Sequence, residues 1–319
     1  MCRKDVDVPP RVVTAKATMP FNRYDDVLPV ASTIVRIYDA PPEASGDLSE
    51  VGKLLYINAN SITLDGTRYI AAQGPLARTV PHFWRMVWQH QVEAVVMLGM
   101  CKEGSVDKVH KYWPALGFTL DLPAAGLAVD CVGEEFHRSE NWVVRTFEVY
   151  APGSRALPRV VKHFQLTAWR DHGTPKHKKL AAFMRAVNSH CPRPLDASPG
   201  HPPILVHCSA GVGRTGVFLV ARTLLRRLQV ATAVGGGISA VPDSDAEHRA
   251  ELAVRAGVFE LPPLFDVRTL MWSLRKQRTK MVQTPEQYGF LHEFLLRASI
   301  PYIGFDFSTF AEPDAGESG

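Results

Sequence analysis

The feature that most restricts the fold of this chain is residues 206–216, which read Val-His-Cys-Ser-Ala-Gly-Val-Gly-Arg-Thr-Gly. Five residues, none of them large, separate Cys208 from Arg214. An apolar run at 204–206 precedes the segment, and apolar residues with helical spacing follow at 217–228. This order predicts a buried strand, a tight loop and the N-terminus of a helix. Loop amides and the positive end of the helix dipole would surround a tetrahedral anion there.

The two reactive side chains of this cysteine–arginine loop (residues 208–214) complete the site. The Arg214 guanidinium offers a planar fork to two oxygens, and the helix field favours the thiolate of Cys208, the form that attacks. A buried cysteine is more often a small apolar side chain. A nucleotide loop would need a lysine, which is missing here, and the dinucleotide fingerprint is missing too. The whole segment therefore indicates a nucleophile inside a phosphate-sized cradle.

This loop resembles the signature of the cysteine-dependent protein tyrosine phosphatases, and other segments resemble the tyrosine-specific branch in the family's order. They lie at 22–29 (phosphotyrosine-recognition loop), 56–60, 69–75, 83–88, 112–114, 169–175 (mobile acid loop) and 283–288 (glutamine loop). The resemblance covers roughly residues 20–297 and points to a non-receptor enzyme with one catalytic domain. It implies an α/β fold in which helices flank both sides of a central, highly twisted mixed β-sheet.

The resemblance also implies a mechanism in two displacements, with Cys208 as the nucleophile. Asp171, between Trp169 and Gly173 in the acid-loop motif, would protonate the leaving tyrosyl oxygen and then act as the base. Gln283 would position the attacking water. Thr215 would hydrogen-bond the departing sulfur, and His207 would tune the nucleophile through the backbone. No metal and no cofactor would take part.

The substrate contacts follow from the same resemblance. Tyr24 would form the wall of a deep pocket that a phosphotyrosine ring spans, whereas phosphoserine would not reach Cys208. Asp26 would accept hydrogen bonds from the substrate backbone. The implied binding residues are Tyr24, Asp26, Ser209, Ala210, Gly211, Val212, Gly213, Arg214 and Gln287. Outside this context, the glutamines would also fit helix caps and Tyr24 an ordinary core position.

Four further residues resemble supporting groups of the family. Glu103 and Lys108 resemble members of a mobile loop beside the site. Arg275 and Arg278 are expected to support the cysteine–arginine loop from behind.

Two positions depart from the family pattern. Arg170 stands where the acid loop normally has proline, so we expect loop closure to be less prearranged. The substitution Arg170→Pro should then change turnover or its pH profile. Asp25 stands where many relatives carry a basic residue, and we expect it to disfavour acidic residues beside the phosphotyrosine.

We expect the chain to divide into an N-terminal arm at 1–19, a catalytic domain at 20–304 and an acidic disordered tail at 305–319. The resemblance implies that residues 230–264 are a surface insertion, because the stretch is longer than the family normally places there. The patterns predict helices at about 79–90, 176–189 and 266–278. They also predict a buried strand at 95–98, and an antiparallel section at 126–132, 142–150 and 160–169.

Composition restricts location and partners. A net charge of +4 over 319 residues does not favour nucleic acid as a partner. The five cysteines are odd in number and lack CxxC spacing, which favours a reducing compartment over disulfides or zinc. No run of about 18 apolar residues occurs. We therefore expect a cytoplasmic monomer without a membrane span, acting on phosphotyrosine-containing proteins.

Two other functions remain open at this point. Arg170 would suit a catalytically weak phosphotyrosine-binding module, although Cys208, Arg214, Asp171 and Gln283 are all in place. A dual-specificity or phosphoinositide phosphatase would share the loop, although Tyr24 and the length of the matching scaffold speak against it.

Overall fold

The structure is a computed structural model, and it describes residues 11–41, 47–50, 52–169, 173–191, 201–233 and 266–303. Its centre is a mixed sheet of eight strands in the order β3-β4-β12-β5-β11-β10-β9-β8. These strands are β3 (Ala59–Leu64), β4 (Thr67–Ala72), β5 (Ala94–Leu98), β8 (Thr119–Leu122), β9 (Leu127–His137), β10 (Trp142–Tyr150), β11 (Arg159–Leu166) and β12 (Ile204–His207). Two small hairpins stand apart from this sheet, β1 (Ile37–Asp39) with β2 (Lys53–Leu55) and β6 (Lys102–Glu103) with β7 (Val106–Asp107).

The middle of the sheet is parallel and both ends are antiparallel. β12 pairs in parallel with β4 and β5, and β5 pairs in parallel with β11. The hairpin pairs β3–β4 and β10–β11 and the pairs β9–β10 and β8–β9 are antiparallel. The cysteine–arginine loop therefore leaves the sheet at the end of a central strand, where several chain segments can approach it.

Helices cover both faces of the sheet. They are α1 (Val80–Gln89), α2 (His177–His190), α3 (Gly213–Ala233), α4 (Val267–Gln277) and α5 (Pro285–Ile303). Successive side chains of strand β5 point to opposite faces of the sheet. Ala94, Val96 and Leu98 pack in the cluster that contains α2 to α5. Val95 and Met97 pack in the cluster that contains α1. Because both faces are covered, every residue of this strand is buried.

The predicted helices and strands are confirmed, with shifted ends. The strand predicted at 160–169 ends at Leu166, where its pairing with both neighbouring strands ends. Leu166 pairs with Trp142, the first residue of β10, and with Leu98, the last residue of β5. The strand predicted at 126–132 continues to His137. Helix α3 extends to Ala233, four residues into the predicted insertion. The remainder of that insertion and the predicted tail lie outside the described residues.

Part of the predicted N-terminal arm is described. Residues 11–13 lie along 29–31, with hydrogen bonds from Val13 N to Pro29 O and from Ala31 N to Arg11 O, at 2.9 and 2.8 Å. A 3-10 helix follows at Lys16–Phe21. Among the described residues, no helix is both long and apolar enough to cross a bilayer.

Candidate active site

Cys208 lies between the end of β12 and the start of α3, and its side chain is buried. The sulfur accepts two hydrogen bonds, one from the N–H of Gly211 at 3.2 Å and one from the hydroxyl of Thr215 at 3.4 Å. Donors directed at a sulfur stabilise its negative charge. Both donors come from residues that the sequence places in the cradle.

The shape of the cysteine–arginine loop depends on Gly211. Its φ is +73°, and a side chain there would collide with the carbonyl of Ala72 on β4. On the outer side of the loop, Nε of Arg278 donates to Gly211 O at 2.8 Å and Nη2 donates to Ala210 O at 3.0 Å. Because the C=O and N–H of a planar peptide point in opposite directions, these bonds leave the following N–H groups turned inward.

Arg278 is itself fully buried and has its other acceptors on β3 and just before it. Its guanidinium donates to Oδ1 of Asn60 at 2.8 Å and to Oδ1 of Asn58 at 2.9 Å. Burial lowers the pKa of Arg278 to about 10, and the nearby Cys208 opposes the shift. The group therefore stays charged at neutral pH, behind the nucleophile, in the position expected for it.

Arg214 is held by a carboxylate. Glu103, in the β6–β7 hairpin, accepts hydrogen bonds from Nη1 at 2.5 Å and from Nη2 at 2.9 Å. Nη1 also lies 3.3 Å from the carbonyl of Leu98. A two-point carboxylate contact fixes the plane of the guanidinium. The loop residue expected to flank the site therefore contacts the expected phosphate clamp directly.

A cavity of about 230 Å³ opens over Cys208. It is lined by Tyr24, Asp26, Val27, Lys108, Cys208, Ser209, Ala210, Gly213, Arg214, Gln283 and Gln287. The hydroxyl of Ser209 donates to the carbonyl of Lys108 at 2.8 Å, so the hydroxyl of Tyr24, 2.8 Å away, acts as donor to Ser209. This bond fixes the Tyr24 ring at the wall of the cavity.

The segments that flank the recognition loop hold it against the sheet. Arg23 donates from Nε to Gly74 O at 3.1 Å and from Nη2 to Pro75 O at 2.6 Å. The amide of Asn58 and the hydroxyl of Tyr56 both donate to Oδ1 of Asn22, at 2.9 and 2.6 Å. The segments at 22–29, 56–60 and 69–75 therefore form one interlocked unit.

The mouth of the cavity carries an ion pair that the sequence did not indicate. Nζ of Lys280 lies 2.6 Å from Oδ2 of Asp26, and both side chains are largely exposed. The hydrogen bond from Lys280 lowers the pKa of Asp26. Lys280 follows α4 by three residues, far from Asp26 in sequence, and no motif marked it.

Hydrogen bonds to its backbone groups hold the glutamine segment in place. Val282 has a φ of +56°, which is unusual for a β-branched residue. Its N–H donates to Val212 O at 3.2 Å, and its carbonyl accepts from Nη2 of Arg275 at 2.8 Å. Arg275 thus acts on this segment, which in turn contacts the cysteine–arginine loop. The N–H of Gln283 donates to Oε1 of Gln287 at 2.9 Å, and both side chains line the cavity.

A chain of buried hydrogen bonds runs behind the nucleophile. Nδ1 of His207 lies 3.1 Å from the carbonyl of Cys208, and its Nε2 lies 2.7 Å from the hydroxyl of Tyr112. The same hydroxyl lies 2.8 Å from Nε2 of His163, whose Nδ1 lies 3.4 Å from Nη1 of Arg145. Sequence reasoning expected His207 to act through the backbone but gave no signal for His163 or Arg145.

The groups at the two ends of this chain of hydrogen bonds determine which atoms within it carry the protons. Arg145 can only donate and the carbonyl of Cys208 can only accept, so every bond between them runs in one direction. His163 accepts at Nδ1 and donates from Nε2 to Tyr112. Tyr112 then donates to His207, which donates from Nδ1 to the carbonyl. Burial lowers the pKa of His207 to about 4 and that of His163 well below its usual value, so both rings are neutral.

The structure places most of the expected site residues around Cys208. Thr215 contacts the sulfur, Val212 is a buried support, and His207 lies behind the loop. Asp171 and Arg170 lie outside the described residues, so their roles stay predictions. The residues on either side are described, and Nε1 of the buried Trp169 donates to the carbonyl of Gly173 at 2.9 Å.

Comparisons with known proteins agree with the site. A family model described as "Protein-tyrosine phosphatase" matches residues 18–239. The chain is 37% identical over 287 residues to receptor-type tyrosine-protein phosphatase F of Bos taurus, covering 88% of this chain and 12% of that protein. It is 38% identical over 248 residues to receptor-type tyrosine-protein phosphatase S of Gallus gallus, covering 76% of this chain and 13% of that protein. It therefore spans about an eighth of the length of these relatives.

Proposed function

This chain belongs to the protein-tyrosine phosphatase family, and on that premise we propose that it hydrolyses phosphotyrosine in proteins through a phosphocysteine intermediate on Cys208. One observation carries the proposal: at the base of a cavity walled by Tyr24, a sulfur with two hydrogen-bond donors lies beside an arginine fixed by a carboxylate. A nucleophile and an oxyanion clamp in one cavity are what transfer of a phosphoryl group to sulfur requires.

In the first step, the Cys208 thiolate attacks phosphorus and the bond from phosphorus to the tyrosyl oxygen breaks. Asp171 gives its proton to that oxygen, so tyrosine leaves neutral. Arg214 and the inward N–H groups of the cysteine–arginine loop hold the equatorial phosphoryl oxygens. Glu103 supports this step, because it keeps the plane of the Arg214 guanidinium fixed while charge shifts among those oxygens.

In the second step, water attacks phosphorus and the sulfur–phosphorus bond breaks. Asp171, now ionised, takes a proton from the water, and Gln283 orients it. The hydroxyl of Thr215, 3.4 Å from the sulfur, stabilises the thiolate as it departs. Phosphate then leaves and the starting state is restored. The proposed sequence uses only protein side chains and water, with no metal or cofactor.

Selectivity for tyrosine would follow from a cavity that only a phosphotyrosine side chain can span. The Tyr24 ring, tied to Ser209, would pack against the substrate ring, while a phosphoserine side chain would end short of the sulfur. At the mouth, exposed Asp25 would disfavour acidic neighbours of the phosphotyrosine. Asp26 would give up its hydrogen bond from Lys280 and accept one from the substrate backbone instead.

We extend the proposal to domain limits and setting. Residues 20–304 would form the catalytic domain, preceded by an arm at 1–19 and followed by an acidic tail. The enzyme would act as a monomer in the cytoplasm, without nucleic acid as a partner. Free thiols at Cys101, Cys131, Cys191 and Cys208 support a reducing location. The relatives above are named receptor-type, and for this chain we propose the cytoplasm.

Hydrolysis of a phosphotyrosine peptide and of the matching phosphoserine peptide, in the presence of a chelator, tests the function. We expect turnover of the first peptide only and none with Cys208→Ser. Asp171→Asn should lower kcat by about 10²–10⁴-fold and change the pH profile. Asp121→Asn, at an exposed strand position, is the control and should have no effect. Peptide binding without turnover would instead identify a phosphotyrosine-binding protein and contradict the proposal.

A further inference from the structure

A second cavity, of about 360 Å³, lies behind the catalytic residues. Its lining includes Arg145, Lys111, Glu134 and Gln165, with Trp113 and Leu116 among its apolar members. It shares no lining residue with the cavity over Cys208. The proposed phosphatase reaction uses none of these side chains, so the cavity needs an explanation of its own.

Arg145 is the central group of this cavity. The residue is 7% exposed, and two of its guanidinium nitrogens have protein acceptors. Nε lies 2.5 Å from Oε2 of Glu134, and Nη1 donates to Oε1 of Gln165 at 2.9 Å as well as to His163. Nη2 has no acceptor among the described residues. It is not one of the fully buried nitrogens that lack a partner among the described residues, so its N–H groups are open to the cavity and can donate to an anion there.

The surroundings restrict the charge and shape of that anion. Arg145 lies 4.9 Å from the centroid of the Trp113 ring, and Nζ of Lys111 lies 5.9 Å from the same centroid. Two cations thus approach one aromatic surface, opposed by the single carboxylate of Glu134. The net positive charge of these three side chains favours an anionic ligand.

The rim of the cavity is apolar. Leu116 is 51% exposed and Met100 is 42% exposed, and both line the opening. Apolar atoms exposed at the mouth of a charged cavity favour a ligand that carries hydrocarbon next to its anionic group. The described residues therefore point to a small molecule with one flat or branched apolar part and one carboxylate.

We propose that this cavity is a second ligand site, which binds small amphiphilic carboxylates on Nη2 of Arg145 with the apolar part between Trp113 and Leu116. The proposal goes beyond the phosphatase reaction and does not depend on it.

The site lies at the outer end of two routes to the catalytic groups. One is the buried chain through His163, Tyr112 and His207. The other runs from Arg145 to Gln165, whose amide donates to the carbonyl of Gly99 at 3.1 Å. Gly99 packs so closely on Arg214 that a side chain there would collide with Nη1. A ligand on Arg145 would therefore contact the residue from which one route leads to Cys208 and the other leads to Arg214.

Calorimetric titration of the full chain with 2-naphthoate, and with uncharged 2-naphthamide, tests the site. We expect saturable binding of the carboxylate only. Leu116→Glu places a negative charge at the rim and should weaken binding by at least about tenfold. Phe118→Glu is the matched control, since Phe118 is 67% exposed on the same loop but does not line the cavity, and it should change binding by less than about twofold.

A further variant separates this site from the catalytic cavity. Arg214→Met removes the clamp over Cys208 and should leave naphthoate binding within about twofold, whether or not the chain hydrolyses phosphotyrosine. Lys111→Gln, at an exposed position, should weaken binding by severalfold. Binding that is lost in Arg214→Met and kept in Leu116→Glu would place naphthoate over Cys208 and overturn the proposal. Equal effects of Leu116→Glu and Phe118→Glu, or no binding at all, would also overturn it.

Discussion

Replacing Tyr112 by phenylalanine removes one oxygen atom and keeps the ring, so it tests the buried chain behind the nucleophile. The oxygen makes two hydrogen bonds, at 2.7 Å to His207 and at 2.8 Å to His163. Both histidines are fully buried, and without the hydroxyl each would keep an unsatisfied ring nitrogen. An unsatisfied buried polar group costs about 1–3 kcal/mol, so we expect the free energy of unfolding to fall by about 3 kcal/mol in total.

The same substitution should reduce activity. Without Tyr112 as donor, the tautomer of His207 that donates from Nδ1 to the carbonyl of Cys208 is no longer enforced. The cysteine–arginine loop would lose part of its fixed geometry, and we expect kcat to fall by about tenfold with KM little changed. Urea unfolding at pH 7 gives the stability, and initial rates with a phosphotyrosine peptide give kcat.

Tyr150→Phe is the matched control for this experiment. Tyr150 is also buried, and its hydroxyl donates to Asp130 at 3.0 Å, but Asp130 keeps bonds from Thr119 and Arg155. We expect the control to lose about 1 kcal/mol and no activity. If Tyr112→Phe cost no more stability than Tyr150→Phe and left kcat unchanged, the reasoning about the chain would be refuted.

Three further outcomes follow from the site. The pKa of His207 is about 4 in the folded protein and 6.5 in the unfolded chain, so the unfolded chain takes up a proton first as the pH falls. The stability that the neutral ring contributes is therefore complete above pH 6.5 and is lost as the pH falls toward 4. Over that range the unsubstituted protein should lose about 3 kcal/mol more than His207→Gln in urea titrations, and equal losses in the two proteins would contradict this. Glu103→Gln should lower kcat/KM about tenfold by loosening Arg214, whereas Asp107→Asn, exposed in the same hairpin, should not; equal rates for both would count against the clamp geometry. Arg278→Met should cost about 3–5 kcal/mol in thermal or urea unfolding and most of the activity, because four acceptors behind the loop lose their donor; near-native stability would rule that out.

Prediction from sequence worked best where the signal is local. The strand, tight loop and helix around Cys208 are contiguous in the chain, and their order fixes where the amides and the helix terminus lie. Hydrophobic periodicity marked the helices and most strands for the same reason. It was less accurate at strand ends, since β11 ends at Leu166 because both of its partner strands end opposite that residue.

The partners of the loop are distant in sequence, and the sequence identified them unevenly. Tyr24 and Arg278 were expected because their segments resemble a family pattern. No pattern predicted that Lys280 would bridge to Asp26, or that His163 and Arg145 would extend the chain behind His207. Single polar residues on buried strands carry no periodic signal, because alternation assigns a face but not a partner.

The sequence by itself determined that this chain makes a phosphate cradle around a cysteine, because that cradle consists of consecutive residues with restricted backbone geometry. Only the tertiary structure decided what surrounds the cradle: Glu103 on Arg214, Arg278 behind the loop and the polar chain from Arg145. Arg278 is 67 positions from Gly211 in the sequence, and Arg214 is 111 positions from Glu103. These contacts depend on strand order and register across the sheet. Both arise when the hydrophobic clusters on the two faces of the sheet pack, and no local segment sets them.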